Sequence, residues 1–257
     1  MEIWQSLILG IVQGITEWLP ISSSGHLVIF QQMFGLSVPL SFDILLHFST
    51  LLVLLTVYYK DLVAICKSWI FLETKSTEFK LGLMLIIGSI PTALIGLYFK
   101  DSFVLLYGSL LAVGIAELFT AGVLFLSSKA KENQKLSAPS AILIGIAQGI
   151  AIIPGVSRSG TTISAGLLLG LKREAAAKYS FLLALPAIAG ATILEGPAIF
   201  SGGIGFVTVM IGMITSYIVG LLTLKWLLKL IQRKSFYMFG WYCLGLGLIL
   251  VGLSVFF

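Results

Sequence analysis

Two proline- and glycine-containing polar segments interrupt a chain that is otherwise apolar enough to lie in lipid. Of the 257 residues, 58% are hydrophobic and 11% are charged. A helix crosses a bilayer with about 20 consecutive apolar residues. Six runs reach that length, roughly 40–59, 81–99, 104–127, 176–200, 205–224 and 236–257. We therefore expect an all-α polytopic membrane protein that forms a single membrane domain, 1–257.

The two remaining apolar regions, 3–36 and 139–171, do not fit this pattern. Each is long for one crossing and short for two crossings with a turn. Their centres carry the breaks 19-LPISSSGH-26 and 154-PGVSRSGT-161. A break frees backbone N–H and C=O groups that lipid cannot satisfy. Each region is therefore predicted to be a re-entrant pair of half-helices, with its broken tip buried in protein or facing a watery cavity.

The basic residues predict which side of the membrane is cytoplasmic. With six crossings and two re-entrant pairs, 14 of the 16 Lys and Arg residues fall on the side of the 60–80 loop. Basic residues concentrate in cytoplasmic loops, so both termini are predicted to lie outside. A single crossing by 139–171 would remove this bias. Two full crossings there would keep it, so the charges do not distinguish that alternative from a re-entrant pair. Because the charges lie between apolar spans, no nucleic-acid partner is expected.

The two broken regions resemble each other at an offset of 135 residues. The segment 10-GIVQGI-15 matches 145-GIAQGI-150. The same offset maps Ser22 onto Ser157, Ser24 onto Ser159 and Gly25 onto Gly160. Three crossings separate the copies, and an odd number inverts the second copy, so the two tips can meet near the midplane. We expect an inverted-topology repeat, with copies of approximately 1–130 and 137–257.

Arg158 lies in the second break, where a charge needs a partner. Arginine at the bilayer centre costs about 2.5–3.5 kcal/mol on insertion scales. Its guanidinium binds phosphate oxygens as a bidentate fork, and a helix start adds free N–H groups. Hydroxyls and an imidazole accompany it at the two tips: Ser157, Ser159, Thr161 and Thr162, with Ser22, Ser23, Ser24 and His26. These residues predict an anion site, with phosphate as the best ligand.

Glu17 adds groups that can do chemistry. It lies four residues after Gln13, on the same face of a half-helix. A carboxylate near His26 and several serines supplies a base, an acid and a nucleophile. Glu17 can equally hold a divalent cation that bridges phosphate oxygens.

The first motif, Gln13-x-x-x-Glu17 followed by 22-SSSGH-26, resembles the acidic motif and Ser/His partner of a known family. That family is the bacitracin-resistance family of undecaprenyl-diphosphate phosphatases. The second segment, Pro154-Gly-x-Ser157-Arg158-Ser159-x-x-Thr162, matches the family's PGxSRSxxT motif. Length and span count also fit, so the resemblance covers essentially the whole chain. The first position of the acidic motif is Gln13 here rather than a glutamate, and a glutamine weakens schemes with two acidic metal ligands.

The resemblance implies a function and a role for each motif residue. It implies hydrolysis of undecaprenyl diphosphate to the monophosphate lipid carrier of cell-wall synthesis, with bacitracin resistance. The enzyme would lie in the bacterial inner membrane, require Mg²⁺ or Ca²⁺, and open its site to the outer face. Glu17 would be the acid/base or metal-associated residue, and Ser22 or Ser23 the nucleophile with His26 as proton partner. The diphosphate would bind Ser157, Arg158, Ser159 and Thr162, with Ser24 and Gln13.

Several alternatives stay open at this point. An inverted repeat with anion-binding tips also suits a transporter or flippase for a phosphate-bearing substrate. Arg158 could form a structural ion pair with Glu117, and His47 reads as a local capping or interface residue near Asp43. The partners are the polyprenyl diphosphate and membrane lipids, with a homo-oligomer left open.

Overall fold

The computed structural model describes residues 1–106, 109–199, 204–232 and 235–256, and most of these residues form helices, without a β-strand. The first helices are α1 Ile3–Thr16, α2 Ser23–Met33, α3 Leu40–Val57, α4 Tyr59–Ile70, α5 Thr77–Tyr98 and α6 Lys100–Leu106. The remaining ones are α7 Leu110–Ser127, α8 Ala138–Ile150, α9 Arg158–Leu168, α10 Arg173–Ile199, α11 Phe206–Ile231 and α12 Phe239–Phe256. A short 3-10 helix, Phe236–Met238, precedes α12.

Among the described residues, six long apolar helices confirm the predicted number of candidate membrane spans. The helices α3, α5, α7, α10, α11 and α12 are long and apolar enough to cross a bilayer. The ends of some helices differ from the ends of the apolar runs, because a helix can continue past the charged residue that ends a run. The fifth run stops before Lys225, yet α11 continues to Ile231, since a lysine near a helix end keeps its stem in the apolar region and its ammonium in water.

Both broken regions consist of two short helices. Helices α1 and α2 have 14 and 11 residues, and α8 and α9 have 13 and 11. At a rise of 1.5 Å per residue, each is about 15–21 Å long, shorter than the roughly 30 Å hydrocarbon layer. Half-helices are thus present at the predicted places, and their re-entrant insertion stays a prediction.

Glycine-mediated packing repeats in the two halves of the chain. Helix α1 packs along α11, and α8 packs along α5. A Cβ on Gly10 would lie 2.5 Å from the backbone oxygen of Gly212, and one on Gly145 would lie 2.1 Å from that of Gly88. Small residues let helix backbones approach closely in membranes. Gly10 and Gly145 are equivalent at the 135-residue offset, so this packing supports the inverted repeat, which stays a prediction.

Two ion pairs gather the loops at one end of the bundle. Lys178 of α10 pairs with Asp61 of α4. Arg173, at the start of α10, pairs with Glu132 of the α7–α8 loop, with Nε and Oε1 separated by 2.9 Å. These loops are the ones that the basic residues assign to a common side.

Candidate active site

The two breaks lie against each other inside the bundle. Ser159 of α9 donates a hydrogen bond from Oγ to the backbone oxygen of Leu19, at 3.1 Å. A Cβ on Gly25 would lie 3.2 Å from the Cα of Gly155. Gly155 has φ +92°, a conformation that glycine adopts without steric cost. This contact brings the starts of α2 and α9 to one place.

Equivalent serines cap the two helices that leave the breaks. Ser22 Oγ accepts a hydrogen bond from the Gly25 N–H at 3.2 Å, and Ser157 Oγ accepts one from the Gly160 N–H at 3.1 Å. Serine is a favoured N-cap because its oxygen satisfies one of the free N–H groups. The caps fix both helix starts, whose positive dipole ends favour a bound anion.

An ion pair joins the first break to the second. Arg158, the first residue of α9, donates from Nη2 to Oε1 of Glu17, which directly follows α1. The exposed fractions of the two side chains are 16% and 4%. Arg158 Nη1 is buried and has no hydrogen-bond partner among the described residues. The guanidinium is therefore held at one nitrogen and keeps donors for an anion.

Three further side chains surround the second carboxylate oxygen of Glu17. Oε2 accepts hydrogen bonds from Gln13 Nε2 at 3.0 Å and from Ser23 Oγ at 2.6 Å. His47 Nε2 of α3 lies 3.4 Å from the same oxygen. An ionised carboxylate can accept at both oxygens in this way. The Ser23 hydroxyl proton is thus directed at a base.

The Glu17 cluster lies in the wall of a cavity of about 520 Å³. Its polar lining near Glu17 includes Glu17, Ser23, Ser24, His47, Ser157 and Arg158, together with Thr16. Residues of α5 and α10 make most of the other walls apolar, including Leu97, Ala187, Ile188 and Leu194. A mostly apolar cavity with a few convergent polar groups suits an amphiphilic ligand with an anionic head.

The remaining predicted site residues lie behind the cavity wall. They are Gln13, Ser22, His26, Ser159 and Thr162. His26 lies between the backbone oxygen of Ser22 and the hydroxyl of Tyr242, and both contacts are 2.7 Å. Thr162 Oγ1 donates to the backbone oxygen of Arg158 at 2.7 Å. These residues support the cavity-lining ones, and their predicted contacts with substrate stay predictions.

His47 is the cavity residue that sequence reasoning missed. Its Nδ1 lies 2.7 Å from the backbone oxygen of Asp43, which is the local contact that the sequence indicates. Its Nε2 lies beside Oε2 of Glu17, at 3.4 Å, which the sequence does not indicate. The available signal was an imidazole within an apolar span, where an ionisable group points to function.

The alternative ion pair between Arg158 and Glu117 is not formed, because Arg158 pairs with Glu17. Glu117 is fully buried in α7. Its helix does contact the second break one turn later, where Thr120 Oγ1 accepts a hydrogen bond from the Ser157 N–H at 3.1 Å. Helix α7 therefore helps to hold the break in place.

The surroundings of Glu17 do not form a metal cage of protein ligands alone. The part of the chain that the structure describes contains no group of three or more His, Cys, Asp or Glu side chains that could hold a metal ion. Magnesium is commonly held by one or two carboxylates together with substrate phosphates and water. The residues therefore fit a cation that arrives with a diphosphate and shares Glu17.

Comparison with known proteins places these motifs in a wider context. The family model described as bacitracin resistance protein BacA matches residues 6–249. The chain is similar to the undecaprenyl-diphosphatase of Desulforapulum autotrophicum, at 42% identity over 97% of each chain. It is also similar to those of Methanosphaera stadtmanae and Bacteroides fragilis, at 40% and 36% identity, each over 99% of both chains.

Proposed function

This chain belongs to the family of the bacitracin resistance protein BacA, and on that premise we propose that it hydrolyses undecaprenyl diphosphate in the cavity at the two breaks. The products are undecaprenyl monophosphate and inorganic phosphate. The observation that carries the proposal is the contact of Glu17 with both Arg158 and Ser23 at the wall of a mostly apolar cavity. This set supplies a base, a phosphate clamp and a hydroxyl for an amphiphilic substrate.

The diphosphate binds beside Arg158, and the prenyl chain follows the apolar walls. The Arg158 guanidinium, which lines the cavity, and the helix start at Ser157 bind phosphate oxygens. Ser24 lines the same wall and adds a hydroxyl. The chain leaves the head group past Ala187 and Ile188 of α10. The apolar walls keep the prenyl chain in a non-polar environment like that of the lipid while the head group is bound.

Ser23 is the nucleophile that the geometry favours over Ser22. Ser22 Oγ is engaged as a helix cap, whereas Ser23 Oγ lines the cavity and donates to Glu17. Glu17 takes the hydroxyl proton as Oγ forms a bond to the terminal phosphorus. The bond from that phosphorus to the bridging oxygen breaks, and undecaprenyl monophosphate leaves. Arg158 stabilises the charge that develops on the transferred phosphoryl group.

A water molecule then completes the reaction. Glu17 passes its proton to the departing monophosphate and accepts one from the water. The water oxygen bonds to phosphorus, the bond to Ser23 Oγ breaks, and Ser23 regains a proton as inorganic phosphate forms. The two half-reactions together consume one water per phosphoanhydride bond.

A divalent cation, Mg²⁺ or Ca²⁺, accompanies the diphosphate in this proposal. Glu17 is the protein carboxylate that would share it, with the phosphate oxygens as the other ligands. When bound, such a cation neutralises charge on the phosphate oxygens.

The membrane placement is part of the same proposal. Both termini and the mouth of the cavity face the outside of the inner membrane, with the two breaks as re-entrant tips of an inverted repeat. The charge bias of the loops supports this orientation.

Phosphate release from purified protein in detergent tests the proposal. We expect release from undecaprenyl diphosphate and little from undecaprenyl monophosphate. A transporter or flippase would instead move labelled lipid between leaflets of a vesicle without releasing phosphate. The hydrolase proposal would be contradicted if folded protein, with Mg²⁺ present, released no phosphate from the diphosphate.

A further inference from the structure

Both ring nitrogens of His26 are engaged away from the cavity. The Nδ1 atom contacts the backbone oxygen of Ser22, which can only accept, so Nδ1 carries the proton. In the neutral imidazole, the Nε2 atom then accepts a hydrogen bond from the hydroxyl of Tyr242. The two rings are stacked, with centroids 5.7 Å apart. His26 is buried and is absent from the cavity lining.

The backbone oxygen of Ser22 is the point where His26 acts on the first break. That oxygen also accepts the His26 backbone N–H, at 3.2 Å. Ser22 has φ +63°, a left-handed conformation that a residue with a side chain rarely adopts. A rare backbone conformation persists when surrounding bonds hold it. The His26 side chain supplies one of the hydrogen bonds that hold the backbone conformation of Ser22.

The conformation of Ser22 determines where Ser23 points. Ser23 follows directly as the first residue of α2, and its Oγ reaches Glu17 at 2.6 Å. A change in the Ser22 dihedral angles would rotate Ser23 away from the carboxylate. Helix α12 holds the same break at a second point, since Cys243 Sγ donates to the backbone oxygen of Pro20 at 3.3 Å.

We propose that Tyr242 and His26 are a pair of positioning residues, which fix the backbone of Ser22 and thereby aim Ser23 at Glu17. In this arrangement His26 transfers no proton to the substrate. The proposal rests on the proposed hydrolase function and assigns Tyr242 of α12 a part in it.

Two substitutions of His26 separate positioning from proton transfer. Asparagine places an amide N–H near the position of Nδ1 and can keep the bond to the Ser22 oxygen. Glutamine reaches toward Nε2 and loses that bond. We expect His26→Asn to stay within about tenfold of the wild-type kcat, and His26→Gln to lose about 100-fold, since misplacement of a reacting group by about 1 Å costs that much.

Tyr242→Phe tests the other member of the pair. It removes the hydroxyl and keeps the stacked ring, so we expect kcat to fall about threefold to tenfold, in line with one lost hydrogen bond. The matched control is Tyr237→Phe, at a half-buried tyrosine just before α12, and it should leave kcat unchanged. The shape of the pH profile should be the same in all four variants and the wild type.

The wild type and the variants answer separate questions. Phosphate release by the wild type tests the hydrolase function itself, and its absence would overturn that function and the role of the pair in it. Equal losses of about 100-fold or more in His26→Asn and His26→Gln, with both folded and monodisperse in detergent, would show that His26 transfers a proton. That result, or a Tyr242→Phe variant with wild-type kcat, overturns the positioning proposal.

Discussion

Arg158 and Glu17 are 141 residues apart in the sequence, and their side chains form one ion pair. Arg158 begins the helix after the second break, and Glu17 follows the helix before the first. Each half of the chain therefore supplies one charge of the site. Without Arg158, the buried Glu17 would keep only its contacts with Gln13, Ser23 and His47.

Replacing Arg158 with Ala should abolish phosphate release from the lipid diphosphate. The loss in kcat should be about 1000-fold, the scale of one lost charge-stabilising donor in a water-excluded site. Arg158→Lys should also be impaired, because a lysine lacks the planar fork. The control is Arg173→Ala, whose partner Glu132 lies outside the cavity. Substantial turnover by folded Arg158→Ala would contradict the clamp role.

Replacing Glu17 with Gln should lower kcat by about 100-fold or more, the usual contribution of a general base. The amide keeps the size of the side chain and can still meet Arg158 through its oxygen, but it cannot take the Ser23 proton. Steady-state kinetics should show the loss mainly in kcat. Glu132→Gln is the matched control and should keep wild-type turnover. A Glu17→Gln enzyme of normal kcat would exclude Glu17 as the base.

Ser23 and Ser22 should respond differently to replacement by Ala. Ser23→Ala should remove turnover, because the hydroxyl beside Glu17 is lost. Ser22→Ala should lower kcat far less than Ser23→Ala does, and it should lower stability by about 1 kcal/mol, the usual contribution of an N-cap. Rapid acid quenching with substrate labelled in its terminal phosphate should trap phosphoserine at residue 23. Turnover by Ser23→Ala, with no trapped label in the wild type, would point to direct attack by water.

Chelation of divalent cations should stop turnover. EDTA should abolish phosphate release and Mg²⁺ or Ca²⁺ should restore it. Glu17 is the one carboxylate among the described residues that line the cavity. Calorimetry without substrate should therefore show no tight Mg²⁺ binding. Binding should appear when a non-hydrolysable diphosphate analogue is present. Full activity in EDTA would remove the cation from the proposal.

The exposed Cys66 offers a test of orientation. It lies in α4, on the side predicted to be cytoplasmic, and Cys243 is buried. A membrane-impermeant maleimide should label inside-out vesicles and leave intact cells unlabelled. Cys66→Ser should remove the signal, and single cysteines placed in 128–138 should behave like Cys66. Labelling of intact cells at Cys66 would reverse the orientation.

The sequence determined the features that depend on local composition. Six apolar runs predicted six spanning helices, because a helix satisfies its own backbone in lipid. The breaks at Pro20 and Pro154 also followed from the sequence, since proline lacks an N–H and interrupts a helix. Arg158 and the motif around it indicated the family and an anion site, because a charge in an apolar segment requires a partner.

The tertiary structure decided which residues face one another. The sequence suggested that His26 acts on the serine hydroxyls of its own segment. Its ring instead contacts the backbone oxygen of Ser22 and the hydroxyl of Tyr242, behind the cavity. His47 reaches Glu17 from a different helix, α3. Such pairings follow from how whole helices pack, as where Gly10 admits the backbone of α11. The residue pattern within a segment does not specify that packing. The sequence therefore predicts that Arg158 has a partner, and only the tertiary structure identifies that partner as Glu17.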